Sequence, residues 1–255
     1  MQNDTQNIIG VDVGSGSVRA GYSICGRAPR PRDREITLFR SAGNKVEQSS
    51  REIWQAVCYC IKTAVANAGV SPSSIAGIGF DATCSLVVIG DNDAPLAVGP
   101  SDDADRNIIV WMDHRATGQA EKINATGHPV LRYVGGKISP EMQTPKILWL
   151  KENRPHIYQQ ARHFFDLADY LTWRSTGDEA RSVCTVTCKW TYRRMNNAGM
   201  PVTSARLASQ SWRMKILSAS ASGLSIQAPL RRGPLRHGGR GDGPADRHAG
   251  GGGDD

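Results

Sequence analysis

The segment 12–19 opens with a carboxylate and continues with small, polar residues. Asp12 directly follows a run of apolar and β-branched residues, so we expect it at the end of a buried strand. The glycines after it let the backbone come close to a ligand, and the serines and amides can bind an oxyanion. The residues of this candidate phosphate turn are Gly14, Ser15, Gly16, Ser17 and Arg19. A simple glycine hairpin is the alternative, because glycine and serine are common in turns for local reasons.

This turn lacks the features of two common nucleotide-binding motifs. No Gly-Lys-Ser/Thr sequence follows it, as a Walker loop requires, and the third glycine of a dinucleotide fingerprint is missing. A strand at 18–24, rather than a helix, is predicted directly after it. The pattern therefore indicates phosphate contact through a strand-turn-strand unit.

Polar residues also follow a second apolar segment, 75–80. Asp81, Ala82 and Thr83 lie where that segment ends, and crevices at strand ends in α/β sheets commonly bind ligands. An Asx or threonine turn would explain the same residues. Glu141 precedes a predicted helix, where it could accept hydrogen bonds from hydroxyl groups or could simply interact with the helix dipole. Both interpretations stay open for these residues.

Trp111, Asp113 and Arg115 combine an aromatic surface with two opposite charges. Such a set suits a polyol, whose C–H face and hydroxyl groups need different partners. A buried tryptophan beside a structural Asp–Arg pair is the alternative. The sequence thus predicts either a ligand platform or an internal ion pair in this segment.

Histidine and cysteine show no metal-site pattern. The six histidines include no pair with ligand spacing and a third donor, and the six cysteines lack the paired spacing of a zinc site. We expect the cysteines to remain thiols in a reducing compartment. Asp166, Asp169 and Tyr170 are expected to cap and pack a helix, because acidic residues suit a first helical turn.

The elements that must position these residues form an α/β pattern. Strands are predicted at 7–13, 18–24, 36–39 and 75–80, with 86–89 as the neighbour of the last one. A long helix precedes the 75–80 strand: Ser49 and Glu52 fit a capping box, and Gly69 fits a C-terminal cap. Strand, helix and strand in this order form a crossover with parallel pairing. Further helices are predicted at 115–126, 142–153 and 166–175.

The composition changes after residue 192. Residues 1–192 carry 21 Lys and Arg against 20 Asp and Glu, whereas residues 193–255 carry 10 against 4 and supply nearly all of the net charge of +7. A near-neutral body argues against a groove that follows a nucleic-acid backbone. The 193–255 segment contains no Glu and becomes rich in Arg, Gly and Pro, so we expect it to be disordered or read out of frame.

Size and hydropathy favour an ordinary globular protein. A chain of 255 residues with 39% hydrophobic residues can form a real core. Its apolar runs are too short to span a bilayer, and its N-terminus lacks the pattern of a signal peptide. We therefore expect a cytoplasmic protein without membrane or nucleic-acid partners. The oligomeric state stays open, a homodimer included.

Five segments resemble, in the same order, the motifs of the FGGY carbohydrate kinases. These segments are 12–19, 79–85, 111–115, 139–146 and 187–192. Their Asp-Ala-Thr-Cys-Ser and Cys-Lys-Trp sequences are most similar to the D-ribulokinase branch, with a related pentulose as the alternative substrate. The resemblance implies an actin/hexokinase-like, ribonuclease H-like α/β sheet with helices. It identifies residues 1–192 as the N-terminal, sugar-side domain of such a kinase.

The resemblance also implies cofactors and residue roles. ATP with Mg²⁺ would supply the phosphoryl group, and Asp12 would lie near the metal, through water. The residues at 81–83 and 111–115, together with Glu141, would face the sugar. Lys189 resembles the lysine that contacts the ketose in ribulokinases. In the 193–255 segment, Asp246 faintly resembles the catalytic base of the family's second domain.

Three functions are compatible with these observations. The first is ATP-dependent phosphorylation of a pentulose, ribulose above all. Because this chain does not resemble the second, adenosine-binding domain of such kinases, the chain itself would be a truncated and inactive form. The second is a non-catalytic sugar-binding or regulatory remnant of the same fold. The third, a nucleic-acid binder driven by its basic tail, is disfavoured by the near-neutral body.

Overall fold

The computed structural model of the protein describes residues 7–23 and 32–192. The 193–255 segment, with its predicted disorder, lies outside these residues, and so does Asp246. The described strands are β1 (Asn7–Val13), β2 (Ser17–Ser23), β3 (Arg32–Glu35), β4 (Phe39–Ser41), β5 (Lys45–Gln48), β6 (Ile75–Ala82), β7 (Leu86–Ile89), β8 (Ile108–Ile109) and β9 (His163–Asp166). The described α-helices are α1 (Ser50–Ala68), α2 (Thr117–Ala125), α3 (Gln143–Asn153), α4 (Pro155–Gln160), α5 (Leu167–Thr176) and α6 (Val183–Lys189).

The first sheet has the strand order β3-β2-β1-β6. β1 is antiparallel to β2 and parallel to β6. The parallel partner of β6 is therefore β1, and not the strand predicted at 36–39 directly before α1. Along β1, Ile9, Val11 and Val13 are buried, whereas Ile8, Gly10 and Asp12 are exposed. Because alternate residues of a strand point to opposite faces, Asp12 lies on the solvent side, one residue before the carboxyl end of β1.

Helix α1 packs on the core face of this sheet and has the predicted caps. The Ser49 hydroxyl accepts a hydrogen bond from the Glu52 amide at 3.2 Å, and Gly69 ends the helix in the left-handed conformation, with φ of 64°. The Glu52 carboxylate accepts from the backbone and hydroxyl of Thr37, at 3.1 and 2.9 Å. These bonds hold the connection between β3 and β4, so the strand predicted at 36–39 was wrong.

The second sheet has the order β4-β5-β8-β7-β9, and each of its neighbouring pairs is antiparallel. The prediction that 86–89 pairs with 75–80 was therefore wrong. Hydrogen bonds from the Thr83 amide to Val13 O (3.1 Å) and from the Ser85 amide to Thr83 O (2.7 Å) turn the chain out of the first sheet. β7 then begins the centre of a different sheet.

The helices after Trp111 agree with the sequence to within two residues for α2, α3 and α5. The short strands β8 and β9 and the helices α4 and α6 were not predicted. One core cluster joins α1 and α5 to both sheets, with the Phe165 and Trp173 rings stacked at 5.0 Å. A second cluster joins β7 to α3 and α4. None of the described helices is long and apolar enough to cross a membrane.

Candidate functional site

Three charged residues stand in one row across β2, β1 and β6. Asp12 is in register with Arg19 on one side and with Asp81 on the other. Arg19 Nη1 lies 3.3 Å from Asp12 Oδ2, and Asp81 is exposed on a strand that runs about 4.8 Å away. Two carboxylates therefore face one guanidinium. The excess negative charge makes this row a favourable place for a cation.

The turn at 14–16 presents free amides next to this row. The Gly14 amide donates to Ser17 O at 3.0 Å, whereas the amides of Ser15 and Gly16 have no acceptor within the described part of the chain. Neither glycine has a positive φ. A Cβ on Gly16 would meet no atom within 4 Å. The fold itself thus does not require glycine at 16, and the open space beside the free amides fits an oxyanion.

The same turn is held from the second sheet. Gln48 Nε2 donates to Ser15 O at 2.8 Å, and the indole Nε1 of Trp111 donates to Ser15 Oγ at 2.9 Å. The backbone amide of Trp111 in turn donates to Ser85 Oγ at 3.1 Å. Trp111 is half-buried. It therefore contacts the candidate phosphate turn and fixes the position of Ser15.

The residues 81–83 lie at the carboxyl end of β6, beside the row. The Asp81 carboxylate is exposed, and no ion pair or hydrogen bond engages it among residues 7–23 and 32–192. Ala82 and Thr83 are half-buried, and Thr83 Oγ1 lies 3.1 Å from Ser85 Oγ. This end of the strand offers one open carboxylate on a fixed backbone.

Lys189 ends α6 near the same turn. Burial raises the pKa of Cys84 to about 11, and the Lys189 ammonium partly opposes that rise. Burial likewise raises the pKa of Asp166 to about 7, again against the effect of Lys189. The side chain of Lys189 is half-buried. Its ammonium thus lies close to the turn that follows Asp81.

Glu141 lies just before α3 and contacts His114. Glu141 Oε1 is 3.1 Å from His114 Nε2, and about a third of the Glu141 side chain, 30%, is exposed. The amide of Glu141 donates to Ser139 Oγ at 3.2 Å. The carboxylate is therefore oriented by protein contacts and keeps one oxygen open to solvent or ligand.

Asp113 and Arg115 form an internal ion network. The side chains of both residues are 0% exposed, and that of Glu47 is 3% exposed. The Asp113 carboxylate accepts from the Val46 amide at 2.6 Å and from Arg115 at 2.8 to 3.0 Å. Arg115 Nη2 also reaches Glu47 Oε1 at 2.8 Å, and its Nη1 donates to Val98 O at 2.9 Å. This geometry fits the structural Asp–Arg pair. It does not fit a sugar contact, because the carboxylate of Asp113 and the guanidinium of Arg115 are both buried and bonded to protein groups.

The described residues do not enclose a metal by themselves. Within 7–23 and 32–192, no group of three or more His, Cys, Asp or Glu residues could hold a metal ion. Mg²⁺ commonly keeps several waters and binds through one or two carboxylates together with substrate phosphates. Asp12 and Asp81 fit that role, because both are exposed and lie in register.

Comparison with known proteins identifies the fold and the domain. Residues 7–195 match the FGGY family of carbohydrate kinases, N-terminal domain. The chain belongs to this family. The resemblance seen in five sequence motifs is thereby confirmed.

The curated relatives of this FGGY chain are much longer than the part of them that it matches. It is 49% identical over 193 residues to an FGGY carbohydrate kinase domain-containing protein of Homo sapiens, covering 75% of this chain and 35% of the human protein. It is 50% identical over 189 residues to a D-ribulokinase of Saccharomyces cerevisiae, covering 71% and 26%. The chain thus spans about a third or less of the relatives it matches.

Solved structures confirm the fold class. The chain aligns with a gluconate kinase from Lactobacillus acidophilus at a TM-score of 0.62 and 22% identity, and with a xylulose kinase from the same organism at 0.61 and 23%. Each alignment covers 72% of this chain and 36% of the other. The α/β fold expected from the resemblance is therefore that of sugar kinases, for their first part.

The structure adds residues to this FGGY domain that sequence reasoning missed. Lys146 is fully buried and donates to Val110 O at 2.9 Å and Trp111 O at 3.2 Å. Burial lowers its pKa to about 7, partly opposed by Asp113. The available signal was a lysine directly before the apolar segment of a helix. Lys146 fixes the exit of β8 and, with it, Trp111.

A second missed contact holds the turn after Asp81. Gln143 Nε2 donates to Cys84 O and to Asp166 Oδ2, both at 3.2 Å. Asp166 occupies the N-cap position of α5, but its side chain makes no capping hydrogen bond. Asp169 accepts from the Ser182 amide at 2.9 Å, which ties α5 to α6. The acidic residues of α5 therefore connect elements rather than cap one helix.

Proposed function

We propose that this chain is the sugar-side domain of a pentulose kinase, with ribulose as the favoured sugar. The observation that carries the proposal is the row of Asp12 and Asp81 beside the free amides of Ser15 and Gly16. An acceptor for a cation at Asp12, an acceptor for a sugar hydroxyl at Asp81 and donors for a phosphate at 15–16 meet at one edge of the sheet. Phosphoryl transfer depends mainly on such positioning and charge neutralisation.

The phosphate side uses residues 12–19. Bound Mg-ATP would supply the phosphoryl group and neutralise its charge. Asp12 would hold the metal through water, and the Ser15 and Gly16 amides would bind phosphate oxygens, with the hydroxyl of Ser17 beside them. Gly14 would shape the turn, with its own amide bonded to Ser17 O. Arg19 keeps the Asp12 carboxylate oriented through their 3.3 Å ion pair.

The sugar side uses the ends of β6 and α6. The open Asp81 carboxylate accepts hydrogen bonds from sugar hydroxyls, with Ala82 and Thr83 forming the floor next to it. Lys189 donates to a ketose oxygen, and Glu141 accepts from a further hydroxyl. The name of the yeast relative, a D-ribulokinase at 50% identity, supports ribulose over other pentuloses.

Binding of sugars to the purified chain tests this assignment. In calorimetry with ribulose, xylulose and glycerol, we expect weak pentulose binding that Asp81→Ala or Lys189→Ala weakens by about tenfold, because each removes a charged hydrogen-bond partner. Asp105→Ala is the matched control, since Asp105 is an exposed carboxylate that pairs with Arg51, and neither residue belongs to the candidate site. Equal heats for wild type and both site variants would remove these residues from the site.

Turnover by this chain is a separate part of the proposal. Catalysis of this type needs ATP, metal, sugar and base assembled in one water-excluded cleft, and the matched region is the N-terminal domain alone. We therefore expect no appreciable ADP release with ribulose and Mg-ATP in a coupled assay. Turnover of about 1 per second, typical of working kinases, that Asp12→Ala abolishes would refute the truncated, inactive form. That result would also support Asp246 as the catalytic base.

Sugar binding without turnover does not by itself separate an inactive kinase half from a regulatory sugar-binding remnant. The two differ in what happens when the rest of a family chain is supplied. Activity restored by adding the remaining part of a relative supports the kinase half. The proposal includes a cytoplasmic location. Whether the chain forms a homodimer is tested by sedimentation.

A further inference from the structure

Two described cysteines lie one helical turn apart on the exposed side of α6. Cys184 and Cys188 are both exposed, and their spacing of four residues places them on the same face of the helix. Thr185 and Val186 form the buried face between them. The Cys184 amide donates to Ser182 Oγ at 3.2 Å, so Cys184 belongs to the first turn of α6 and Cys188 to the last.

The two thiols interact with each other, and Cys188 directly precedes Lys189, a residue of the candidate sugar site. Burial raises the pKa of Cys188, and the hydrogen bond and charge of Cys184 raise it further, whereas Lys189 opposes the rise. Cys188 is therefore a thiol at neutral pH. Cys184 is exposed in the first turn, so an external reagent can reach its sulfur.

We propose that Cys184 and Cys188 are a thiol modification site. A small-molecule disulfide such as oxidised glutathione oxidises the two thiols to an intramolecular disulfide, and this closure displaces Lys189. The Cys184 thiolate attacks one sulfur of oxidised glutathione, and one glutathione thiol leaves. The Cys188 thiolate then attacks the Cys184 sulfur of this mixed disulfide and expels the second glutathione. The cysteines lose two electrons and two protons, which reduce oxidised glutathione to two thiols.

Closure must distort the last turn of α6. Side chains four residues apart on a helix have Cβ atoms about 5 to 6 Å apart, whereas a disulfide requires about 3.5 to 4.5 Å. The helix has only seven residues, and a helix this short resists distortion weakly. It ends next to Thr191, which has a left-handed φ of 56°. The turn that shortens is therefore the one that carries Lys189.

Movement of Lys189 connects the thiols to the sugar site. Lys189 directly follows Cys188, and its ammonium lies near Cys84 and Asp166 in the reduced chain. A distorted last turn would carry the ammonium away from the turn after Asp81. This part of the inference rests on the proposed role of Lys189 in sugar binding. Closure of the disulfide itself does not depend on that role.

Peptide mass analysis tests closure with a control inside the same chain. Trypsin cleavage after Arg181 and Lys189 releases peptide 182–189, which contains both thiols and becomes lighter by two hydrogens when the disulfide forms. Peptide 52–62 also contains two cysteines, but Cys58 and Cys60 are two residues apart on α1 and do not face each other. Cys60 is buried, with its thiol 3.5 Å from Val18 O.

After treatment of the full chain with oxidised glutathione and alkylation, we expect peptide 182–189 to be closed and peptide 52–62 to be alkylated twice. Cys184→Ser should abolish closure, and Cys58→Ser should leave it unchanged. The inference is overturned if peptide 182–189 stays reduced, stops at a mixed disulfide with glutathione, or links to a second chain. Equal oxidation of both peptides would also overturn it.

Calorimetry with ribulose tests the coupling. We expect about tenfold weaker binding after closure, the loss expected for one charged hydrogen bond, with recovery on reduction and no effect of oxidation in Cys184→Ser. Bound ribulose should shift the thiol–disulfide equilibrium toward the reduced chain by the same factor, because linkage is reciprocal. If the reduced chain fails to bind ribulose, the proposed function fails while the peptide result still decides closure. Equal affinity of the reduced and closed chains would overturn the displacement of Lys189.

Discussion

Replacement of Arg115 by alanine separates a structural role of the 113–115 segment from a role in sugar binding. The guanidinium lies between two buried carboxylates, at 2.8 Å from Glu47 Oε1 and 2.8 Å from Asp113 Oδ2. It also lies over the ring of Trp149, with its central carbon 5.0 Å from the ring centroid. Alanine removes the guanidinium that both carboxylates contact and leaves Glu47 and Asp113 buried without an ion-pair partner among residues 7–23 and 32–192.

The expected loss of stability is large. Removing one partner of a buried ion pair costs about 3 to 5 kcal/mol, because the remaining charge stays buried and unpaired. A typical domain has a free energy of unfolding of about 5 to 15 kcal/mol. For a chain of this length each 1 kcal/mol shifts the melting temperature by roughly 2 to 4 °C. We therefore expect Arg115→Ala to melt roughly 6 to 20 °C below wild type.

Urea unfolding followed by circular dichroism measures this loss, and Arg51→Ala is the matched control. Arg51 makes an ion pair with Asp105 at 2.6 Å, but the two side chains are 57% and 49% exposed. Such surface pairs contribute about 0 to 1 kcal/mol. The same charge change in the same chain should therefore have little effect at position 51 and a severe effect at position 115.

The opposite pattern would refute the reasoning. If Arg115→Ala unfolds at the same urea concentration as Arg51→Ala and instead weakens ribulose binding, the guanidinium is not needed to neutralise buried carboxylates. Arg115 would then return to the sugar site, as its place in the sequence motif first indicated. A loss of stability without a specific loss of sugar affinity supports the internal network.

Two further predictions concern pH and close packing. Burial lowers the pKa of Lys146 to about 7 and raises that of Asp166 to about 7. From about pH 4 to 7 the folded chain binds the extra proton, on Asp166, so the free energy of unfolding should fall as the pH rises. Above pH 7 the unfolded chain binds the extra proton, on Lys146, so the free energy of unfolding should rise again. Urea midpoints at pH 5, 7 and 9 should pass through a minimum that Asp166→Asn flattens on the acidic side and Lys146→Met on the basic side; a monotonic curve would contradict this. A Cβ at Gly99 would clash with the carboxylate of Glu47, whereas one at Gly16 meets nothing within 4 Å. Gly99→Ala should therefore cost about 1 to 3 kcal/mol, and Gly16→Ala should cost very little. Similar urea midpoints for the two variants would contradict that expectation.

The elements that the sequence predicted well have local signals. β1 is set by its buried, β-branched residues, and α1 by Ser49 and Gly69 at its two ends. β9 has no such signal, because its sequence His-Phe-Phe-Asp does not alternate between apolar and polar residues, and four buried residues alone do not distinguish a strand from a buried helical turn. β8 has only two residues and exists through its pairing with β5 and β7. β8 can therefore be identified only once the pairing of the second sheet is known.

The site shows the same division. The adjacency of Asp12 and Asp81 follows from the parallel pairing of β1 with β6. The sequence predicts a parallel crossover through α1, but it does not indicate that β1 is the partner strand. The burial of Arg115 depends on Glu47, which is 68 positions earlier in the chain. Lys146 is needed because two carbonyls at 110 and 111 lie inside the fold. Such long-range demands for hydrogen-bond partners leave no pattern in a single sequence.

The hydrogen bond from Trp111 to Ser15 joins the two sheets at the candidate phosphate turn. With Gln48 also on Ser15 O, this turn has contacts from both sheets and no independent freedom to rearrange. A phosphate that arrives finds the amides already aligned, because the entropy of ordering them was lost during folding rather than on binding. Preorganisation of this kind also means that closing a cleft over the phosphate would carry the turn as one rigid body with its domain.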